Sequence, residues 1–200
     1  MTLDALVAHP DIVRLARALK KSPGKEVEPE PSMRLAAIAL ILRLGALTEP
    51  ELLMIKRAEA ERDPWSGHVA CPGGRMEPAD RNLTDTAIRE TMEETGIELG
   101  RAGQMLGTLD DLSPRTPVLP PIVIRPFVFG VRSEVEIVQS AEVAAAFWVP
   151  ISALREQGAW GMGTVNVLGA PREVSTFTHG EYRVWGLTER VLRQLLERMA

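Results

Sequence analysis

Apolar residues recur along this chain first with a helical period and later in dense runs of strand length. Leu6, Ile12, Val13, Leu15, Ala16 and Leu19 follow a 3.6-residue period, so residues 3–20 read as helix, interrupted or restarted at Pro10. Residues 22–32, SPGKEVEPEPS, break that pattern with proline and charge and read as a linker. Residues 33–44 and 52–57 are apolar strand-length runs, separated by Gly45 and a Thr48-Glu49-Pro50 turn. Further strands are read at 68–71, 104–109, 122–131 and 143–149, with a polar, proline-rich loop over 110–121 and a short helix over 150–154. The glycine-rich segment 158–170 reads as loop, and 175–177 with 182–185 as a strand or hairpin. A final helix over 187–199 lines up Leu187, Val191, Leu192, Leu195, Leu196 and Met199. Several strands around few helices predict a mixed α+β sandwich.

Length and charge narrow the function more than the fold. Two hundred residues are enough for one domain with a substantial core, or for a domain plus terminal helices. A net charge of −4 argues against a nucleic-acid surface, which needs clustered lysine and arginine. It does not argue against a phosphorylated small molecule, because a bound metal reverses the local sign. The single cysteine, Cys71, excludes an internal disulfide and suits a reducing compartment. No segment reads as a signal peptide or a membrane span, so a cytoplasmic location is expected. The terminal helices leave two readings open: they cap the domain, or they pair subunits in a homodimer.

The chemistry concentrates in residues 73–97, GGRMEPADRNLTDTAIRETMEETGI. Helical spacing puts Glu90, Glu93 and Glu94 on one face, with Leu83, Ala87, Ile88, Thr91 and Met92 as the apolar side. Three carboxylates that close repel one another unless a cation sits among them, and hard oxygen ligands suit Mg2+ or Mn2+. The bland reading is a solvated acidic face with Arg89 paired to Asp85 and Glu93 at four-residue spacing. Punctuation favours the first reading: Pro72-Gly73-Gly74 precedes the helix, Asn82 is placed to cap it, and Gly96 stops it.

These residues resemble the Nudix box, a loop–helix–loop motif. Gly74 fits its first glycine, and Arg89, Glu90, Glu93, Glu94, Gly96 and Ile97 fit its end. Asp80 stands where the box has its first glutamate, one extra residue precedes Arg89, and Thr91 occupies an aliphatic slot. The resemblance implies an α/β/α sandwich with a mixed sheet over residues 33–200, preceded by an N-terminal helix and linker over 1–32. It implies metal-dependent hydrolysis of a small nucleoside diphosphate derivative. Glu90, Glu93 and Glu94 would hold the ion, Arg89 would orient the carboxylates, and Gly73 and Gly74 would let the backbone turn tightly beside the site. Glu77 and Asp80 are auxiliary ligand candidates.

Beyond the box the chain is similar to the coenzyme A pyrophosphatase branch. Leu53, Arg57 and Ala58 match the opening of its upstream signature, with Arg62 as its second arginine. Gly67 to Gly74 match its end, except that His68 and Cys71 replace a glutamine and a phenylalanine. Arg125-Pro126-Phe127-Val128 and Val184-Trp185-Gly186-Leu187-Thr188 look like its later landmarks. The substrate this implies is coenzyme A or a thioester of it. Other substrates keep the same chemistry: a nucleotide sugar, ADP-ribose, a dinucleotide or a non-standard nucleoside triphosphate. A non-catalytic nucleotide sensor is a third class, and its usual sign, loss of the glutamates, is absent here.

Several residues carry paired readings. Arg57, Arg62 and Arg75 hold phosphates or are surface charges. Glu142, ahead of Phe147-Trp148-Val149-Pro150, is a catalytic base or a plain surface acid. His68 touches substrate or is a satisfied polar residue. Trp65 stacks on a base or covers core. Cys71 is a small buried residue rather than a reactive thiol.

Overall fold

The computed structural model describes residues 1–60, 65–114, 120–167 and 170–200. Two short helices come first, α1 (Leu3–Ala8) and α2 (Pro10–Lys21). Pro10 occupies the first turn of α2, where its missing N–H costs nothing, and His9 Nδ1 accepts the Asp11 N–H at 3.3 Å as the cap. Leu6, Ile12, Leu15 and Leu19 are buried, each stabilising the fold by about 1.5–3 kcal/mol.

The main sheet contains β1 (Arg34–Leu44), β2 (Pro50–Arg57), β3 (Val69–Ala70), β4 (Gly73–Arg75), β5 (Gly103–Thr108), β6 (Ile122–Val131) and β7 (Val143–Pro150). Its path runs β3-β2-β1-β6-β5, with β4 also paired to β1 and β7 to β2. The sheet is mixed because β1 and β6 pair in parallel while β2 and β4 meet β1 antiparallel. Alternation in β1 feeds two cores. Ala37, Ala39 and Ile41 face the helix α3 (Leu83–Thr95) and the turn α4 (Leu99–Ala102). Leu40, Leu42 and Leu44 face the other core, shared with α1, α2, α5 (Ile151–Arg155) and α6 (Gly186–Met199). This is the mixed α+β architecture that the strand and helix pattern predicts.

The strap over residues 22–32 is tied down rather than loose. Lys25 N–H donates to Asp110 Oδ1 at 3.0 Å, and Val27 N–H donates to Asp111 Oδ2 at 2.9 Å. The Asp111 carboxylate also takes two bonds from Arg125, both at 2.9 Å.

One segment departs from expectation. Residues 158–170 were expected as loop, but β8 (Trp160–Val167) pairs with β9 (Ala170–His179) from Trp160↔Phe177 to Val167↔Ala170. With β10 (Tyr182–Trp185) these form a second antiparallel sheet of three strands. Gly161 and Gly163 hide the period-two signal, whereas Gly163 fits because a Cβ there would lie 3.1 Å from Thr176. Among the described residues no helix is long and apolar enough to cross a membrane.

Candidate active site

Helix α3 starts and stops where its end residues dictate. Asn82 accepts the Asp85 N–H at 2.9 Å, and Gly96 closes the helix in the left-handed region at φ 70°. Its orientation differs from a simple acidic-out, apolar-in arrangement. Ala87, Thr91 and Glu94 are buried, whereas Met92 is 44% exposed. Position 94 extends the stripe of 87 and 91 by one further turn, so Glu94 enters the interior and Met92 turns outward. The three glutamates therefore do not all point to solvent.

Arg89 is the hub of this helix. It makes a two-pronged pair with Asp80, from Nε at 3.0 Å and Nη2 at 2.9 Å, and Nη2 also donates to the Arg75 carbonyl at 2.9 Å. Its Nη1 donates to Glu90 Oε1 and Glu93 Oε2, each at 3.0 Å. Asp80 additionally accepts from Thr86 Oγ1 and from the Glu77 N–H, each at 2.9 Å, so it anchors Arg89. The Arg89 guanidinium holds the Asp80 carboxyl far below the usual range. Of the alternative Arg89 pairings, the one with Glu93 forms and the one with Asp85 does not: Asp85 binds Arg81 at 2.6 Å, and Arg89 takes Asp80.

A cavity of about 520 Å³ lies beside this helix. Its lining unites Glu90, Glu94, Glu142, Arg57, Arg75, Gly73, Gly74 and His68. Glu93, with a side chain 57% exposed, does not line it, and neither does Arg89. Arg62 lies outside the described residues. Residues that the sequence reading left without a site role complete the walls, among them Leu112, Ile124, Trp185 and Leu187. Trp185-Gly186-Leu187-Thr188 was visible as a family landmark, but no local rule assigns it to this cavity.

Glu94 sits 3% exposed, accepting the Gly73 N–H at 2.9 Å and facing Arg57 at 3.6 Å. Burial, and after it the Glu90 and Glu142 charges, raise its carboxyl to about 7 against the pull of Gly73 and Arg57. Burial likewise raises Glu90, opposed by Arg89. Cys71 is buried, and burial with the nearby Glu94 pushes its thiol up to about 12, which fits a packing role.

The donor set suits a hard divalent cation. Carboxylates of Glu90 and Glu94 reach one cavity, and a Cβ at Gly74 would come within 2.3 Å of Glu90 Oε1, so the backbone there leaves that carboxylate its room. Among the described residues, no three acids, histidines or cysteines are gathered as a ready ligand group. Arg89 instead draws Glu90 and Glu93 to itself.

The raised Glu94 carboxyl sets a pH test. A carboxyl raised in the folded state stabilises the fold fully below its unfolded value of about 4.5, and that contribution is lost as pH rises through about 7. A cation bound to the carboxylate opposes the loss. Thermal melts with manganese should therefore show a larger rise in Tm at about pH 8 than at about pH 5.5. Equal rises at both values would remove Glu94 from the ligand set.

The NUDIX domain model matches residues 33–166. An uncharacterized Nudix hydrolase NudL of Photorhabdus laumondii is 29% identical over 177 residues, covering 86% of this chain and 91% of that protein. NudL of Cronobacter sakazakii is 30% identical over 159 residues, covering 78% and 79%. An uncharacterized Schizosaccharomyces pombe protein is 35% identical over 109 residues, 52% of this chain, and the match spans only 33% of that longer relative. In fold, the chain is similar to the NUDIX domain of Shewanella oneidensis NrtR complexed with ADP ribose, with TM-score 0.57 at 16% identity over 88% of this chain and 95% of that one. The span matched by the family model includes the whole of residues 73–97. The chain belongs to the NUDIX domain family and is a Nudix pyrophosphohydrolase of nucleoside diphosphate derivatives, in a family that works with divalent metal ions.

Proposed function

We propose that this enzyme hydrolyses the pyrophosphate bond of coenzyme A or its thioesters, releasing adenosine 3′,5′-bisphosphate and a phosphopantetheine. The observation that carries the reading is the mixed character of the cavity. Its lining combines a polar part of acids and arginines with an aliphatic part of Ile38, Leu112, Ile122, Ile124 and Leu187. A diphosphate with an uncharged, largely aliphatic arm matches both parts, and a second sugar or nucleotide matches only the first.

Glu90 and Glu94, joined by Glu93, are the residues to hold Mg2+ or Mn2+. Bound there, the ion would supply charge neutralisation of the diphosphate oxygens and activation of a water. Arg57 and Arg75 line the same cavity and supply donors for the phosphate oxygens. Glu142 also lines it and is the candidate to take the proton of that water. Oxygen then adds to phosphorus, the bridging P–O bond breaks, and the leaving phosphate carries away the electron pair. Gly73 orients Glu94 through its N–H.

The test is a substrate panel with magnesium or manganese and products identified by mass. Coenzyme A and its thioesters should exceed 3′-dephospho-coenzyme A, ADP-ribose and dinucleotides in kcat/KM by about tenfold or more. Preference for ADP-ribose or a dinucleotide would overturn the coenzyme A assignment. The family chemistry would stand.

A further inference from the structure

The family model ends at residue 166, yet the chain beyond it builds part of the cavity wall. Trp185 closes β10, and Gly186, at φ 67°, turns the chain directly into α6. Trp185, Leu187 and Thr188 thereby line the same cavity as Glu90 and Glu94. The Trp185 ring meets the His68 ring edge-on, with centroids 4.6 Å apart and planes at 60°. His68 meets Trp65 in the same manner, at 5.9 Å and 70°. Three aromatic rings thus run in file along one wall.

The other tryptophans show what a packing role looks like in this molecule. Trp148 and Trp160 pack against the two hydrophobic cores, each with an arginine over its ring, Arg43 at 4.0 Å and Arg193 at 4.4 Å. Trp65, His68 and Trp185 belong to neither core. Trp65 is 37% exposed. Aromatic rings lining a cavity that also holds acids and arginines suit a ligand with a planar ring at one end and phosphate at the other.

We infer that Trp185, with His68 and Trp65, forms the wall that binds the nucleobase of the substrate, so that a segment outside the family-matched region determines ring specificity. This deepens the proposed function, but it requires only a nucleotide substrate and not coenzyme A in particular. Trp185 is therefore a specificity residue, and the Glu90 and Glu94 carboxylates are positioned by Arg89, Gly73 and Arg57. Its loss should act on binding of the ring and leave the hydrolytic step intact.

The experiment compares wild type with Trp185→Ala, Trp185→Phe and Trp65→Ala, each checked by thermal melt. Binding of AMP, ribose 5-phosphate and inorganic phosphate is measured by calorimetry without turnover. Stacking of one base is worth about 1–3 kcal/mol, so Trp185→Ala should weaken AMP about ten- to a hundred-fold. Ribose 5-phosphate should bind both proteins alike, and Trp185→Phe should recover most of the AMP affinity. In steady-state assays on the best substrate, KM should rise by a similar factor with kcat within about twofold. Unchanged AMP binding in Trp185→Ala and Trp65→Ala would overturn the inference. Equal weakening of AMP and ribose 5-phosphate would also overturn it, because that marks a collapsed cavity. The AMP arm reads the ring wall even if the panel finds a substrate other than coenzyme A.

Discussion

Glu94→Gln should lower kcat by about a thousand-fold and leave the protein as stable as wild type, or more so. In the proposed mechanism Glu94 holds the metal ion, and removing such a ligand costs several kcal/mol of transition-state stabilisation, each ~1.4 kcal/mol being about tenfold in rate. The stability side follows from burial. Glu94 is 3% exposed, and its carboxyl is raised to about 7 by burial and by neighbouring acids, so the charged form is held at a cost. Glutamine removes the charge and still offers an oxygen to the Gly73 N–H that now bonds Oε2 at 2.9 Å. A structural glutamate would behave in the opposite way, with stability falling and activity following it down. Near-normal turnover of the variant with magnesium would exclude Glu94 from the catalytic apparatus.

Gly73→Ala should be the most damaging change to the fold around the site. Gly73 has φ 152°, and a Cβ there would lie 2.3 Å from the Ala37 carbonyl oxygen and 2.6 Å from Ile38 Cα. Both are backbone atoms of β1, so no side chain can swing aside. The pairing of Ile38 with Gly73 and Ala37 with Gly74 must open, and the Gly73 N–H moves off Glu94. Strain and overpacking together cost about 2–6 kcal/mol, which lowers Tm by roughly 5–20 °C in a protein of this size. Activity should fall with it, including at temperatures where the variant is fully folded. A melt within about 2 °C of wild type would show that the strand yields more easily than this contact suggests.

Much of this was legible in the sequence, and the misses share a physical origin. The Asn82 cap, the Gly96 stop and strand β6 at residues 122–131 follow local rules, and the structure keeps them. Glu94 shows where local reading stops. Its charge suggested a solvent face, while its spacing from Ala87 and Thr91 placed it in the buried stripe, and the spacing prevailed. Arg81 at four-residue spacing takes Asp85, while Arg89 pairs with Asp80 nine residues earlier, a spacing outside the helical rule. Strand β4 has three residues and two glycines, too few to show a pattern, and it exists only because β1 offers an edge. Trp185 reaches the cavity through packing of β10 near β3, a long-range arrangement that no sequence window contains.

The parallel pairing of β1 with β6 carries a kinetic consequence. Residues such as Leu40 and Val128 must find each other across nearly half of the chain before the central ladder exists. Helix α6 must then dock on α2, closing the loop between opposite ends of the polypeptide, as the Arg14 bond to the Met199 carbonyl at 3.1 Å records. Such non-local closure makes folding slow relative to a helical bundle of equal size. One wall of the cavity, from Trp185 to Thr188, belongs to that C-terminal segment and so forms only when the segment has packed.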